Sequence, residues 1–534
     1  MMRRLKTRLR GLVPYPSFPV ILFLIVSCLS CSRSGSEVKN LILLIGDGMG
    51  PQEIGLALSY ARYSESPALK DRALALEKLM NEGTTGIALT SPEGFLVTDS
   101  AASATQIATG KKSRPGMIGL DRDGNRAESI LEKARKSGRS AGLVSDTRIT
   151  HATPAAFAAH RPSRAMESEI ALDILDSGAE VLLSGGLRHW LPGGTDGSAL
   201  KPAGSVGFPV RSARKDGRNL LEEVRSQGYA TVFDRASLKE SSSPKLLGLF
   251  AASEMPDAIT VNRTRSHKER TVPTLAEMTE KALQTLSQNK KGFFLMVEGG
   301  QIDYAGHSND AGRLLHEMLV FNEAADVVYR WARGRSDTLV VVIADHATGG
   351  FSFSYSRHNP PPAIRLPGAA FKDKEYSARN NYVNPSVLDR LYAQKKSFEN
   401  IRREFEALDT ALQTPERFMR MFNEAVEFKI SLSQAAGILE LMDAPPGFMF
   451  KKERVYKIPR IRDFPEFYTA AMENRSNLMA RAVAPEQGVV WSTGGHTASP
   501  VLVTAWGPAK HTRSFGGVHH TTDVYRLMAG ALGL

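Results

Sequence analysis

Short, continuously apolar runs alternate with longer amphipathic stretches along this chain. Continuous runs are typical of parallel strands covered on both faces, and the amphipathic stretches are typical of helices that connect such strands. The pattern predicts an α/β fold with a central, mostly parallel sheet flanked by helices. The predicted strands are Leu41 to Ile45, Ala141 to Val144, Val181 to Leu183, Phe293 to Val297, Thr338 to Ile343 and Val501 to Ala505.

Residues of metal-binding type adjoin four of these predicted strands. In an open parallel sheet, the ligand crevice lies beyond the carboxyl ends of the strands. Carboxylates and imidazoles are ligands that divalent cations prefer. Taken singly, each residue would be a solvated charge or a helix cap, but their joint placement favours a metal centre. The residues are Asp47 in GDGMG, then Glu298, Asp303 and His307, then Asp345 and His346, and finally His496 just before the last strand.

The segment VTDSAASATQIATG supplies a candidate nucleophile. It predicts a short helix of small residues that begins at Ser100 and ends near Gly110. A helix N-terminus offers free N–H groups and a partial positive charge, which suit a phosphate or a forming alkoxide. The alternative for Ser100 is a plain N-cap. Because no G-x-S-x-G surrounds Ser100, activation by a metal is favoured over a Ser-His-Asp triad.

Composition and charge narrow the functional classes. The 534 residues are 42% hydrophobic and 23% charged, which excludes collagen, coiled coil and bulk disorder. The net charge of +12 includes five cations before residue 11. No clustered basic run appears elsewhere, so specific nucleic-acid binding is not expected.

The first 31 residues predict an export signal. A basic stretch precedes the apolar run Val20 to Val26 and small residues around two cysteines. The run is too short to span a bilayer. The segment resembles a lipoprotein signal, with Cys28 favoured over Cys31 as the lipidated residue, and a cleaved signal with a soluble product is the alternative. We therefore expect an exported protein, periplasmic or lipid-anchored to a bacterial membrane. Both cysteines of the chain lie here, so the mature fold has no internal disulfide, and oxygen and imidazole must hold any metal.

Eight segments, in order, resemble the alkaline phosphatase family. They cover most of residues 38 to 356 and 490 to 534. The combination of VTDSAASAT with the later acidic and histidine motifs is highly specific. The segments are LLIGDGMG, VTDSAASATQIATG, HATPAAFAAHRPSR, LLSGGLRHWLP, RKDGRNL, MVEGGQIDYAGHSND, ADHATGG and GGHTASPVLV.

The resemblance implies two Zn²⁺ and one Mg²⁺ per subunit, and a serine that becomes phosphorylated. It also leaves a homodimer open. The matching positions are Ser100 as nucleophile and Arg164 as the clamp on two phosphate oxygens; Asp303, His307 and His496 for one zinc; Asp47, Asp345 and His346 for the second zinc; and Asp47, Thr153 and Glu298 for magnesium.

Two positions depart from one common version of the family pattern. His151 stands where some members have Asp, and Tyr304 stands where others have Lys, His or Trp. Both are expected to lie next to the metal ligands, where they would tune the third ion and the bound phosphate.

The interval between His346 and His496 predicts an insertion in one catalytic domain. We assign 38–350 and 488–534 to that domain, and 351–487 to a partly helical lid or subunit interface. Residues 351–395 are polar and rich in proline, which predicts an extended surface segment. Phe398 to Leu412 is amphipathic, Thr414-Pro415 reads as an N-cap with a first helical residue, and Ser431 to Gln434 reads as a capping box before Ile438, Leu439 and Met442.

The leading functional hypothesis is a metal-dependent phosphomonoesterase that acts on small phosphate monoesters through a phosphoserine on Ser100. A second hypothesis keeps the metal core but has it cleave phosphodiesters or sulfate esters; Arg164 and the third-ion residues favour monoesters. A third is a non-enzymatic surface lipoprotein, which the complete ligand set disfavours.

Overall fold

The computed structural model describes residues 38–66, 69, 73–196, 208–444, 457–469 and 474–534. The predicted export signal at 1–31, with Cys28 and Cys31, lies outside these ranges. None of the helices within them combines the length and the apolar character that crossing a membrane requires.

A ten-stranded sheet forms the centre of the fold, in the order β16-β2-β15-β8-β1-β7-β3-β4-β6-β5. Smaller two-stranded pairs join β10 to β13, β11 to β12 and β14 to β9. The strands are β1 Asn40–Gly46, β2 Thr84–Leu89, β3 Ser140–Arg148, β4 Val181–Gly185, β5 Ala230–Val232, β6 Leu246–Leu249, β7 Phe293–Gly299, β8 Thr338–Ile343, β9 Ala347–Thr348, β10 Ser352–Phe353, β11 Leu441–Asp443, β12 Lys457–Pro459, β13 Val489–Val490, β14 His496–Thr497, β15 Val501–Trp506 and β16 Gly517–His520.

All six predicted strands are confirmed, and so is the mostly parallel α/β sheet. The central strand β1 is buried over its whole length between β7 and β8, which explains its unbroken apolar sequence. Only β15 runs antiparallel to its neighbours β8 and β2 within the ten-stranded sheet. Because β15 is reversed, the residues before it, including His496, lie at the edge where the parallel strands end.

Four strands of the sheet were not predicted: β2, β5, β6 and β16. Strands β5 and β16 are at the two edges and are only three and four residues long. In β2, three of six residues are Thr or Gly, and burial alternates along its second half. Strands β2, β5 and β16 carry too few apolar residues in sequence to be distinguished from loops, and β6 is an apolar run of only four residues.

Helices pack against the sheet in two groups. The long helix α12 contacts α1, α2, α10 and strands β7, β1 and β8, whereas α19 contacts α3, α4 and strands β1 and β2. The helices are α1 Pro51–Tyr63, α2 Ala75–Glu82, α3 Ser100–Thr109, α4 Ile130–Lys136, α5 Ala152–Ala155, α6 Glu167–Ser177, α7 Leu220–Ser226, α8 Arg235–Glu240, α9 Ala258–Thr264, α10 Leu275–Leu286, α11 Gln301–His307, α12 Ala311–Ala332, α13 Val387–Tyr392, α14 Phe398–Glu406, α15 Pro415–Ala425, α16 Leu432–Leu439, α17 Asn474–Gln487, α18 Ala509–Thr512 and α19 Thr521–Leu532.

Within 351–487, helices α14 to α17 pack on one another. Their shared core is aromatic: Phe398 lies 5.7 Å from Phe422, and Phe405 lies 5.0 Å from Phe418, between ring centroids. The Thr414 cap on α15 and the Ser431 capping box on α16 are as predicted.

Two details of this segment differ from the prediction. Met442 lies in strand β11 and not on the helix, because α16 ends at Leu439. The polar stretch 351–395 is largely exposed but ends in helix α13, which buries Val387, Leu388 and Leu391. Three apolar residues at helical spacing were hidden there by the composition of the preceding loop.

Glu53 in α1 gives the fold a pH dependence. Burial raises the pKa of Glu53 to about 8, and its Oε2 has no hydrogen-bond partner among the described residues. Because the pKa of Glu53 is higher in the folded state than in the unfolded state, its contribution to the free energy of unfolding is complete below pH 4.5 and is lost as the pH rises through 8. We expect Glu53→Gln to unfold several degrees above the unmodified protein at pH 9 and close to it at pH 5, in thermal melts. The exposed Glu466→Gln should show no such difference, and equal melting curves for Glu53→Gln at both pH values would contradict the argument.

Candidate active site

A tight turn carries Asp47 from the end of β1 into the centre of the site. Gly48 has φ +72°, and a Cβ there would lie 2.8 Å from the Cα of Asp303. The backbone N–H of Gly48 donates to Asp345 Oδ1 at 3.1 Å. The glycine therefore allows the first strand end to approach the ends of β7 and β8 closely.

Ser100 is the first residue of α3, and its neighbour Asp99 is the N-cap. Asp99 Oδ1 accepts from the N–H of Ala102 at 3.0 Å, so the N-cap role considered for Ser100 is wrong. The helix ends at Gly110 in the left-handed region, as predicted. Ser100 is 1% exposed, and its Oγ lies 3.2 Å from His346 Nε2. The hydroxyl thus lies at the helix N-terminus beside the cluster of acidic and histidine residues.

The cap residue also holds Arg164. Asp99 Oδ2 accepts from the backbone N–H of Gly116 at 3.0 Å and from Arg164 Nη1 at 3.3 Å. Arg164 Nη2 lies 3.0 Å from His151 Nε2. Its side chain keeps a third of its surface exposed. The guanidinium is therefore oriented beside Ser100 and remains accessible to a ligand.

Asp47, Asp345 and His346 form a group of buried ligand-type atoms. His346 Nε2 lies 3.4 Å from Asp47 Oδ1 and 3.2 Å from Asp345 Oδ2. Ligand atoms around a tetrahedral zinc are separated by about 3.3 Å. The spacing therefore fits a single cation.

Asp303, His307 and His496 converge next to this group. His307 Nε2 lies 3.2 Å from Asp303 Oδ2 and 3.1 Å from His496 Nε2, and His496 Nε2 lies 3.5 Å from Asp303 Oδ1. His346 also comes within reach of Asp303 and His496, and its ring stacks on that of His496 at 3.6 Å. The two groups are thus contiguous.

Backbone carbonyls orient His307 and His496. His307 Nδ1 lies 2.7 Å from the carbonyl of Gly494, and His496 Nδ1 lies 2.8 Å from that of Thr98. Such bonds fix the ring so that Nε2 faces a metal.

A third group lies on the other side of Asp47. Thr153 Oγ1 donates to Asp47 Oδ2 at 3.2 Å. One possible ligand atom from each of Asp47, His151 and Glu298 lies within 4.8 Å of the other two. The sequence placed His151 only near this position; the structure brings its Nδ1 to 3.6 Å from Glu298 Oε1. The ring of Tyr304 meets that of His151 edge-on, with centroids 5.9 Å apart.

The carboxylates of this cluster repel one another, and burial disfavours their ionised form. Burial, with the nearby carboxylates of Asp345 and Asp303, raises the pKa of Asp47 well above its ordinary value. Burial likewise raises the pKa of Asp345 to about 8 and lowers the pKa of His346. Burial would also raise the pKa of Asp303, but the imidazoles of His307 and His496 hold it well below its ordinary value.

Unpartnered buried atoms show that the residues fit bound cations. Four of them point into the groups described above and have no hydrogen-bond partner within the described ranges. Buried polar atoms without partners are costly, and cations would satisfy all four. The atoms are Asp47 Oδ1, Asp345 Oδ2, Glu298 Oε1 and His151 Nδ1.

Several supporting residues were not identified from the sequence. Thr348 Oγ1 donates to Asp303 Oδ1 at 2.5 Å and lies 3.2 Å from His346 Nδ1. Ser145 and Thr147 at the end of β3 donate to Glu298 Oε2. Their hydroxyls carry no distinctive spacing; only the position of Ser145 and Thr147 at the end of a predicted strand could have indicated them.

A family model for alkaline phosphatases matches residues 38–534. The chain belongs to the alkaline phosphatase family. It is 36% identical over 386 residues to alkaline phosphatase 4 of Bacillus subtilis, covering 71% of this chain and 76% of that protein. It is 30% identical over 502 residues to alkaline phosphatase 3 of the same organism, covering 93% of this chain and 89% of the relative.

Solved alkaline phosphatase structures agree with this assignment. The Thermus thermophilus enzyme superposes with a TM-score of 0.73 at 29% identity, over 94% of this chain and 92% of that chain. The cold-active enzyme of a Shewanella species gives 0.65 at 27% identity, over 92% and 99%. The resemblance drawn from the sequence is thereby confirmed: the chain is a metal-dependent alkaline phosphatase that acts on phosphate monoesters.

Proposed function

We propose that this alkaline phosphatase releases inorganic phosphate from small monoesters through a covalent phosphoserine on Ser100. The observation that carries the proposal is the position of the Ser100 hydroxyl at a helix N-terminus, 3.2 Å from His346 and next to the oriented Arg164. A nucleophile, an anion clamp and a cluster of metal-ligand residues thus surround one small space.

Each step uses a residue of this space. Arg164 binds two non-bridging phosphate oxygens with its planar fork. Ser100 Oγ attacks phosphorus, a new P–O bond forms, and the ester P–O bond breaks as the alcohol leaves. Water then hydrolyses the phosphoserine, which regenerates the hydroxyl and releases phosphate. Divalent cations, when bound, would lower the pKa of the serine hydroxyl and stabilise the entering and leaving oxygens.

We assign two zinc ions to the contiguous groups that contain histidine, and one magnesium ion to the group of Asp47, Thr153 and Glu298. Mixed carboxylate and imidazole ligands suit zinc, and oxygen ligands suit magnesium. His151 brings a nitrogen atom to the third group. We therefore expect its metal preference to depend on His151.

A substrate series tests the reaction class. p-Nitrophenyl phosphate should be turned over far faster than its bis-ester or its sulfate, because the bis-ester presents one fewer charged oxygen to Arg164 and the sulfate carries less negative charge. Preferred turnover of either alternative would replace this proposal with the diesterase or sulfatase hypothesis.

Replacing Arg164 should weaken phosphate binding. Two charge-assisted hydrogen bonds are worth about 3 kcal/mol together, so Arg164→Ala should lower kcat/KM about 100-fold, mainly through KM. Arg122→Ala, which removes an exposed guanidinium, serves as the control. Steady-state kinetics with p-nitrophenyl phosphate measures both, and an unchanged KM in Arg164→Ala would remove the residue from the clamp.

We further propose that the chain is exported, to the periplasm or as a lipid-anchored protein, and leave a homodimer open. The composition of residues 1–31 and the cysteines Cys28 and Cys31 support export and anchoring. Mass spectrometry of the N-terminus from membrane extracts would identify the lipidated cysteine, and analytical ultracentrifugation would give the subunit number.

A further inference from the structure

A cavity of about 870 Å³ adjoins the proposed phosphate clamp. Arg164, His151 and Tyr304 line one of its walls and also belong to the candidate active site. Pockets for small organic ligands have volumes of about 300 to 1,000 Å³, and a phosphate group alone would fill a small part of this one. The cavity therefore has room for the organic portion of a substrate.

Another wall comes from the segment inserted between the metal-ligand motifs. Glu399, Asn400 and Arg403 of helix α14 line it. A buried seam fixes the start of that helix: Ser397 Oγ donates to Asp257 Oδ2 at 2.6 Å, and the N–H of Phe398 donates to an Asp310 carboxylate oxygen at 2.7 Å. The insertion is thus held against the catalytic half of the molecule and defines the extent of the cavity.

Both apolar and charged side chains line the cavity. Phe208, Pro209, Pro256 and Val272 give an apolar surface, none of them fully buried. Arg403 is 67% exposed, and its guanidinium is oriented by Glu399 Oε1 at 2.7 Å. An aromatic side chain and a guanidinium plane are groups on which a nucleobase stacks.

One carboxylate, Glu399, supplies a hydrogen-bond acceptor in the same cavity. Arg402 and Arg403 outweigh burial and lower the pKa of Glu399, so the group is ionised at neutral pH. Its Oε2 accepts from Arg402 Nε at 2.9 Å, and an ionised carboxylate oxygen can accept a second hydrogen bond, as from a ribose hydroxyl.

Two of the arginines that line the cavity are already paired with carboxylates. Arg148 is paired with Glu167 and Glu254, and Arg402 is paired with Glu399 and Glu406. A second phosphate would therefore compete with carboxylates that already neutralise these cations, whereas an uncharged sugar and base would not.

We infer that this cavity binds the nucleoside portion of a nucleoside monophosphate whose phosphate is held by Arg164. The inference rests on the proposed phosphomonoesterase function and names a substrate class for it. The nucleobase would lie between the apolar wall and Arg403, and a ribose hydroxyl would donate to Glu399.

Kinetics with two esters of different size tests the inference. Adenosine 5′-monophosphate should have a kcat/KM about tenfold above that of glycerol phosphate, through a lower KM. Arg403→Ala and the cavity-filling Ala252→Phe should each reduce this preference to near unity while leaving glycerol phosphate hydrolysis unchanged. Arg417→Ala, which removes an exposed arginine from α15 outside the cavity, should keep the preference.

A binding measurement separates this inference from the function on which it rests. Adenosine has no phosphate, so calorimetry on the metal-loaded protein reports the cavity alone; we expect binding that Arg403→Ala weakens at least fivefold and Arg417→Ala does not. Hydrolysis of neither ester would overturn the phosphomonoesterase proposal. Equal kcat/KM values for both esters, or no detectable adenosine binding, would overturn the nucleoside subsite.

Discussion

Replacing Ser100 with alanine is expected to abolish steady phosphate release. The hydroxyl is the one group in our proposed mechanism that forms a covalent bond to phosphorus, and removal of a nucleophile of this kind costs about a thousandfold or more in kcat. The loss should leave the metal ligands in place, since Ser100 contributes only a hydrogen-bond-length contact to His346. The measurement is steady-state release of phosphate from p-nitrophenyl phosphate, with metal content determined on the same sample.

A second buried serine provides the matched control. Ser113 is fully buried, and its Oγ has no hydrogen-bond partner among the described residues, so Ser113→Ala should retain activity. Acid quenching during turnover should trap one phosphoryl group on the peptide that contains Ser100, and none in Ser100→Ala. Full activity in Ser100→Ala would refute the covalent mechanism, whereas a label on another residue would reassign the nucleophile.

The sheet was predictable from sequence because its buried strands have a one-dimensional signature. Leu41 to Ile45 of β1 and Leu339 to Ile343 of β8 are apolar without interruption, and the structure places these strands side by side. The direction of β15 had no such signature, since an apolar run has the same composition in either direction. Its reversal depends on pairing with β8 and β2 across long sequence separations, which local pattern does not encode.

The candidate ligands were predictable because metal chemistry restricts residue type, but their supports were not. Asn477 Nδ2 donates to the backbone carbonyl of His307 at 2.7 Å and to Asn309 Oδ1 at 2.9 Å, and so links α17 to the end of α11. An asparagine 170 positions away from the histidine it supports has no local pattern that marks it. The same holds for His151, whose ligand-like position depends on where Glu298 and Asp47 meet.

Removing the metals should inactivate the enzyme and destabilise its fold together. A chelator should reduce activity at least about a thousandfold, because both Ser100 and the leaving oxygen lose their charge stabilisation. Zinc and magnesium added together should restore it, and analysis of the restored protein should give two zinc ions and one magnesium ion per chain. Persistent activity after complete metal removal would contradict the ligand assignment.

The pH dependence of the stability of the metal-free protein follows from the raised pKa of Asp345. The pKa of Asp345 is raised to about 8, chiefly by burial. In the metal-free state, the contribution of Asp345 to the free energy of unfolding is therefore complete below its ordinary pKa near 3.8 and is lost as the pH rises through 8. The metal-free protein should therefore melt at progressively lower temperature between pH 7 and pH 9, and bound cations, which favour the ionised carboxylates, should reduce that decline. His496→Ala should lose one zinc ion per chain, whereas His519→Ala in the same C-terminal segment should keep its metals. A chelated protein that melts at one temperature across this range would show that Asp345 is not held protonated by its surroundings.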